Sequence, residues 1–254
     1  MNYYKNIIFI ILVLFITLFI IVVLVINRSY RNMTFKTWKV YHRSLHQQFL
    51  SLFHKTAQEL DRHNIIWWVH AGTLLGTIRH EGFIPWDDDV DLVIYCPDKN
   101  DFLAFSETIM DIFETTLDLT IQQIFFGFKI RDKFNTLKNA ELALDLFVYF
   151  QDGDRLMGTD DAQNMWPNEW YYIDQVFPLT IGTFDGLDIP VPRNPWAFLE
   201  RVYSSRFYKE YRVKTPHGIN FLTKAALYLG NFNQRSIKLP KQNQKLALSW
   251  KYVN

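Results

Sequence analysis

Cysteine is almost missing from this chain: Cys96 is the single thiol in 254 residues. One thiol can form no internal disulfide and no cysteine zinc cluster, and it fixes no redox compartment. At the end of an apolar stretch it reads as a small core residue. A basic excess is missing too. Lys and Arg number 27 against 26 Asp and Glu, a formal net charge of +1, which argues against a nucleic-acid binder. No internal repeat or low-complexity tract stands out. What is present is 49% hydrophobic and 17% aromatic residues, enough for a well-filled core in one large or two small domains.

One long apolar run exists. Ile7 to Ile26 holds Ile, Leu, Val and Phe broken only by Thr17, the length a helix needs to cross a bilayer core. A cleaved signal peptide is the rival, but such apolar regions are shorter and end at small residues. This one ends in Val25-Ile26-Asn27-Arg28. The expectation is therefore a short tail (1–6), an uncleaved transmembrane anchor (7–26), a polar basic stalk (27–48) and a folded body (49–254). Only Lys5 precedes the span, while Arg28, Arg31, Lys36, Lys39 and Arg43 follow it. The positive-inside rule points the body to the cytoplasm.

Along the body, Leu50, Phe53, Ala57 and Leu60 recur at helical spacing. Ile65 to Ala71 reads as a buried strand, and Thr73 to Arg79 as a short helix with Thr73 as its N-cap. From Asp89 to Tyr95 the pattern alternates, with Asp89, Asp91 and Val93 on one face. Residues 101–114 read as a helix, Ile121 to Ile130 and Glu141 to Phe150 as strands, and Phe184 to Pro192 as a hairpin. Trp196 to Tyr203 and Asn220 to Leu229 read as helices.

The densest chemistry lies at Asp87, Asp88, Asp89 and Asp91, four acids in five positions. Carboxylates so close repel one another unless a cation joins them. Asp89 and Asp91 at period two present two oxygens together, which suits Mg²⁺ or Mn²⁺; Asp87 extends the row. A calcium loop of the EF-hand type is excluded, because its glycine and terminal glutamate positions hold Leu92 and Asp98. Asp145 sits among Leu142, Leu144, Leu146 and Phe147. A buried acid there requires neutralisation, and as a third carboxylate it could complete a metal cage or act as general base. Gly72 and Thr73 follow a strand and open a helix, a place where backbone N–H groups bind anions. Arg79, His80, Lys129 and Arg131 are candidate phosphate contacts. Trp86 is either a core residue or a stacking face for a base.

These motifs resemble the LicD family of phosphotransferases, which includes fukutin and fukutin-related protein. The matching residues are Gly72-Thr73-Leu74-Leu75-Gly76, Arg79-His80 and Ile84-Pro85-Trp86-Asp87-Asp88-Asp89-Val90-Asp91, then Leu144-Asp145-Leu146-Phe147, Phe177-Pro178-Leu179, Phe184-Asp185-Gly186 and Ile189-Pro190-Val191-Pro192. The resemblance implies an α+β, nucleotidyltransferase-like fold: a mixed sheet flanked by helices, preceded here by one transmembrane helix. It implies transfer of a phosphorylated alcohol, such as phosphocholine or ribitol phosphate, from a CDP-linked donor to a glycan hydroxyl. Asp87, Asp89, Asp91 and Asp145 carry over as ligands of Mg²⁺ or Mn²⁺. Gly72, Thr73 and Arg79 carry over as donor-phosphate contacts. Tyr203-Ser204-Ser205 departs from the Tyr-Gly common in the family, and the cysteine-rich zinc element of fukutin-related protein is absent. Anchored eukaryotic members face the Golgi lumen, which opposes the orientation given by the charge bias. A nucleotidyltransferase using an NTP, or a non-catalytic membrane-tethered glycan-binding relative, are the alternatives.

Overall fold

The computed structural model describes residues 2–31, 43–116, 118–134, 142–212 and 236–252. The expected helix from Asn220 to Leu229 lies outside them. Helix α1, Asn2–Arg31, carries the apolar run; Asn6–Ile26 is long and apolar enough to cross a membrane, and its side chains are turned outward. By length and composition alone, a signal sequence near the N-terminus also qualifies. The expected stalk is helical at both ends. Asn27 to Arg31 continue α1, and Arg43 opens α2, Arg43–Arg62. Phe49, Leu52, Phe53, Thr56 and Leu60 form the buried face of α2, the spacing of an amphipathic helix against a core.

The central sheet is mixed. Strands β1 (Trp67–Val69) and β2 (Val90–Cys96) are antiparallel, and between them runs α3, Ala71–His80. After α4 (Phe102–Glu114) come β3 (Leu119–Ile124), β4 (Gly127–Asp132) and β5 (Ala143–Asp152). The order is β1-β2-β5-β4-β3, with β2 and β5 parallel and the other neighbours antiparallel. Two short strands, β6 (Arg155–Met157) and β7 (Trp170–Tyr172), extend from β5. Helices α5 (Asp160–Met165) and α6 (Ile173–Val176) flank β7. A separate hairpin, β8 (Thr180–Phe184) and β9 (Leu187–Val191), turns at Asp185 and Gly186, both with positive φ, as a two-residue hairpin turn requires. Helix α7 (Pro195–Tyr203), the pair β10 (Glu210–Arg212) and β11 (Ser236–Lys238), and α8 (Lys241–Ser249) complete the described α-helices and strands.

Strands β2 and β5 sit in mid-sheet, and Leu92, Val93, Ile94, Leu144, Leu146 and Val148 are all fully buried. Covering on both faces explains their nearly unbroken apolar runs. Cys96 is buried in the same layer and donates its thiol to the Asp98 carbonyl at 3.2 Å.

Three expectations change. The strand drawn through Ile121–Ile130 is a hairpin, because Phe125 and Phe126 make the turn and Gly127 takes φ +143°. A Cβ there would stand 2.2 Å from the Leu146 carbonyl oxygen, so only glycine lets β4 lie against β5 at that point. The strand around Ile65–Ala71 is trimmed to β1, since Ala71 already begins the helix. Thr73 is not an N-cap: His70 holds that position without a side-chain cap bond.

Candidate active site

Strand β1 runs antiparallel to β2, so its carboxyl end lies beside the start of β2, and α3 leaves from that corner. The corner is tied by three hydrogen bonds. The His70 N–H donates to the Asp91 carbonyl at 3.0 Å. The Asp91 N–H donates to Thr73 Oγ1 at 2.9 Å. The Gly72 N–H donates to Asp91 Oδ2 at 3.3 Å. Thr73 therefore fixes the backbone of Asp91, a role that spacing alone did not indicate. Ala71 sits at φ +38°, a left-handed conformation unusual for a residue with a Cβ and typical of constrained functional turns.

The carboxylates gather at this corner. Asp91 and Asp145 are register partners across the parallel pair β2–β5, so adjacent strands present them side by side on one face. A Cβ on Gly72 would stand 3.0 Å from Asp87 Oδ2 and 3.6 Å from Asp91 Oδ2. Glycine therefore gives the Asp87 carboxylate room at the helix start, while the Asp91 distance would be an ordinary contact. Asp91 is 9% exposed. Burial pushes its carboxyl well above the usual range, and the charges of Asp89, Asp145, Asp87 and Glu169 push it further.

Lys129, the register partner of Asp145 on β4, donates to Asp145 Oδ1 at 2.7 Å and lies 6.0 Å from the Phe126 ring centre. It joins the row as the counter-ion of a carboxylate. Arg131 donates to Gln122 Oε1 on β3 at 3.1 Å. Arg79 and His80 do not join the row, because they occupy the opposite end of α3. Arg79 is 3% exposed and donates to the Phe207 carbonyl at 2.9 Å and to His80 Nε2 at 3.1 Å. A buried guanidinium engaged in this way braces the helix end. Trp86 is buried in the core, which settles its reading against an open stacking face.

Glu169, just before β7, escaped the sequence reading. It adjoins a buried network. His70 Nδ1 is 2.9 Å from the Tyr171 hydroxyl, and His70 Nε2 is 3.3 Å from Glu169 Oε2 and 3.2 Å from the Tyr149 hydroxyl. Tyr149 gives its proton to the Glu169 carbonyl at 2.9 Å, so its oxygen accepts from His70. That assigns the His70 proton to Nε2 and leaves Nδ1 to accept from Tyr171. Burial raises both phenols well above their ordinary value, with Glu169 among the charges that add to it. Tyr203, at the end of α7, responds in the same way to burial and then to Asp91, Glu169, Asp87 and Asp89. No local signal tied Glu169, Tyr171 or Tyr203 to this corner, since β7 and α7 reach it only through the fold.

Among the described residues no three His, Cys, Asp or Glu side chains already stand in a metal-coordinating arrangement. The donor chemistry nevertheless fits a hard divalent ion. All the donors are carboxylate oxygens, the most buried one is disfavoured as an anion by burial and by its neighbours, and Gly72 leaves space beside Asp87.

Comparison with known proteins places these features in context. An uncharacterized protein of Rickettsia typhi is 26% identical over 198 residues, 77% of this chain and 57% of that protein. The lipopolysaccharide cholinephosphotransferase LicD of Haemophilus influenzae is 33% identical over 108 residues, covering 39% of this chain and 40% of that one. The ribitol-5-phosphate transferase FKTN of Mus musculus is 28% identical over 165 residues, 62% and 32% of the two chains. This chain thus spans little more than half of the first relative and less of the other two. Among solved structures, the antibiotic-resistance factor ANT(2'')-Ia matches with a TM-score of 0.38 at 13% identity, over 81% of this chain and 92% of that one. A model of the LicD/FKTN/FKRP nucleotidyltransferase domain matches residues 64–194, a span that holds the glycine turn, the acidic row and Glu169, and the chain belongs to that family.

Proposed function

We propose that the protein is a membrane-anchored, Mg²⁺- or Mn²⁺-dependent phosphotransferase that moves a phosphorylated alcohol from a CDP-linked donor to a glycan hydroxyl. The observation that carries this reading is the pairing of Asp91 with Asp145 on neighbouring strands, with Asp87 closing on the start of α3. Family membership supports a LicD-type phosphotransferase, and the relatives named for choline phosphate and ribitol 5-phosphate suggest the class of group moved. Helix α1 supplies the anchor.

In this reading Asp87, Asp89 and Asp91 hold the divalent ion, which would neutralise charge on the donor diphosphate. The first turn of α3 points backbone N–H groups and the positive end of its dipole toward the phosphates. Thr73 keeps Asp91 in place. Asp145, steadied by Lys129, is positioned to take the proton of the acceptor hydroxyl. Positioning and charge neutralisation account for most of the acceleration, as in phosphoryl transfer generally. The test is CMP release from CDP-choline, CDP-ribitol and CDP-glycerol by purified protein with Mn²⁺ or Mg²⁺. The expected result is release that stops in Asp89→Asn and Asp91→Asn. Full turnover in both variants, or pyrophosphate release from an NTP instead, rejects the proposal.

A further inference from the structure

A concavity lies at the end of α3 opposite the acidic corner. It has a volume of about 710 Å³ and is bordered by residues of α2, the segment 80–85, the β8–β9 turn and α8, within the range of about 300–1,000 Å³ that suits a small ligand. Its floor is built and rigid. The Asp185 N–H donates to the Glu81 carbonyl at 2.7 Å, and the Phe83 N–H donates to Asp185 Oδ2 at 3.0 Å. A Cβ on Gly82 would stand 2.4 Å from that same carboxylate oxygen. Phe83 is buried and stacks on His46, with ring centres 4.3 Å apart and planes 7° from parallel. Asn243 on α8 donates to the Arg79 carbonyl at 2.7 Å, which closes the helix end against the floor.

The rim is polar and open. Gln47 and Gln242 are exposed, and among the described residues neither side chain has a hydrogen-bond partner. Each amide can both donate and accept. Among the described residues, the permanent charges at the rim are Arg43 (+1), Glu81 (−1) and Asp185 (−1), a sum of −1, which does not favour a diphosphate. Apolar lining from Leu50, Phe83, Pro85 and Leu246, with the unengaged amides of Gln47 and Gln242 and the Glu81 carboxylate beside it, matches a neutral ring that carries hydroxyl groups on its edge and C–H groups on its face.

The cleft is joined to the acidic corner by the chain itself. Pro85 borders the cleft, and two residues later Asp87 reaches the start of α3, a span of about 7 Å at most. From the cleft side, His46 Nε2 lies 2.8 Å from the Asp87 carbonyl. A carbonyl only accepts, so Nε2 carries the proton. We propose that this cleft is a saccharide subsite that seats the acceptor glycan, with the hydroxyl to be modified extending along residues 85–87 to the acids. The assignment of the saccharide as acceptor rests on the phosphotransferase reading; its binding does not.

The experiment is saturation-transfer NMR on the full chain, in a detergent without sugar headgroups and with EDTA present. The probes are methyl glycosides of glucose, galactose, mannose, N-acetylglucosamine and N-acetylgalactosamine, with their common disaccharides. At least one sugar is expected to receive saturation. The effect should weaken about tenfold in Gln242→Trp and Gln47→Trp, which fill the cleft from its exposed rim, a loss of about 1.4 kcal/mol. It should persist in Asp91→Asn. CMP release to water, measured in parallel, should be unchanged in both tryptophan variants. Absence of binding by every sugar, or binding unaffected by both variants, overturns the proposal. Cleft-dependent sugar binding without any CMP release would leave the subsite standing and reject the phosphotransferase instead.

Discussion

Thr73→Val perturbs one hydrogen bond and little else. Valine keeps the branched shape of the buried threonine, so no cavity opens. The loss is the Oγ1 that accepts the Asp91 N–H at 2.9 Å. That N–H lies in the core, where an orphaned donor costs about 1–3 kcal/mol. For a chain of this size each kcal/mol lowers the melting temperature by about 2–4 °C, so a drop of about 2–12 °C is expected by near-ultraviolet circular dichroism. Thr73→Ser keeps the oxygen and should recover most of the loss. The functional consequence is separate. With Asp91 freed from Thr73, Mn²⁺ affinity should fall in Thr73→Val and return in Thr73→Ser. If Thr73→Val melts with the wild type and binds Mn²⁺ equally well, Thr73 does not position Asp91 and the description of this corner is wrong.

Other outcomes follow from the same geometry. Asp91 has its folded pKa raised by burial and by neighbouring acids, so its ionised form opposes folding above the unfolded carboxyl value and this penalty fades as pH falls. In EDTA, Asp91→Asn should melt above the wild type at pH 8, with the gap closing toward pH 5. Gly76→Ala places a Cβ 2.5 Å from the Gly82 carbonyl oxygen; the forced separation of α3 from the returning chain should cost about 1–3 kcal/mol in denaturant titrations. Lys129→Met removes the cation 2.7 Å from Asp145, and the pH profile of CMP release should shift to higher pH on its acidic limb, whereas a purely structural lysine would lower the rate equally at every pH.

The acidic corner was partly legible because strand alternation is local. Asp91 among Val90, Leu92 and Ile94 already states which face it takes, whereas Asp145 among leucines announces a buried acid and the structure leaves it half-buried beside Lys129. The pairing of those two acids was an expectation that only register could establish. The β3–β4 turn stayed hidden because Phe125 and Phe126 are apolar, with no Asn, Asp or Pro to mark a reversal; Gly127 was the single cue. Arg79 looked like a phosphate ligand because sequence shows its charge and not the Phe207 carbonyl that engages it from 128 positions away. Glu169 and Tyr203 reach the site through β7 and α7, contacts that no periodicity encodes.

The most direct test is electron paramagnetic resonance of Mn²⁺ added to the full chain. One tightly held ion per chain is expected in the wild type, lost in Asp91→Asn and in Asp89→Asn while both variants remain folded. Equal Mn²⁺ binding by the wild type and both variants would contradict the claim that this acidic row is a metal site.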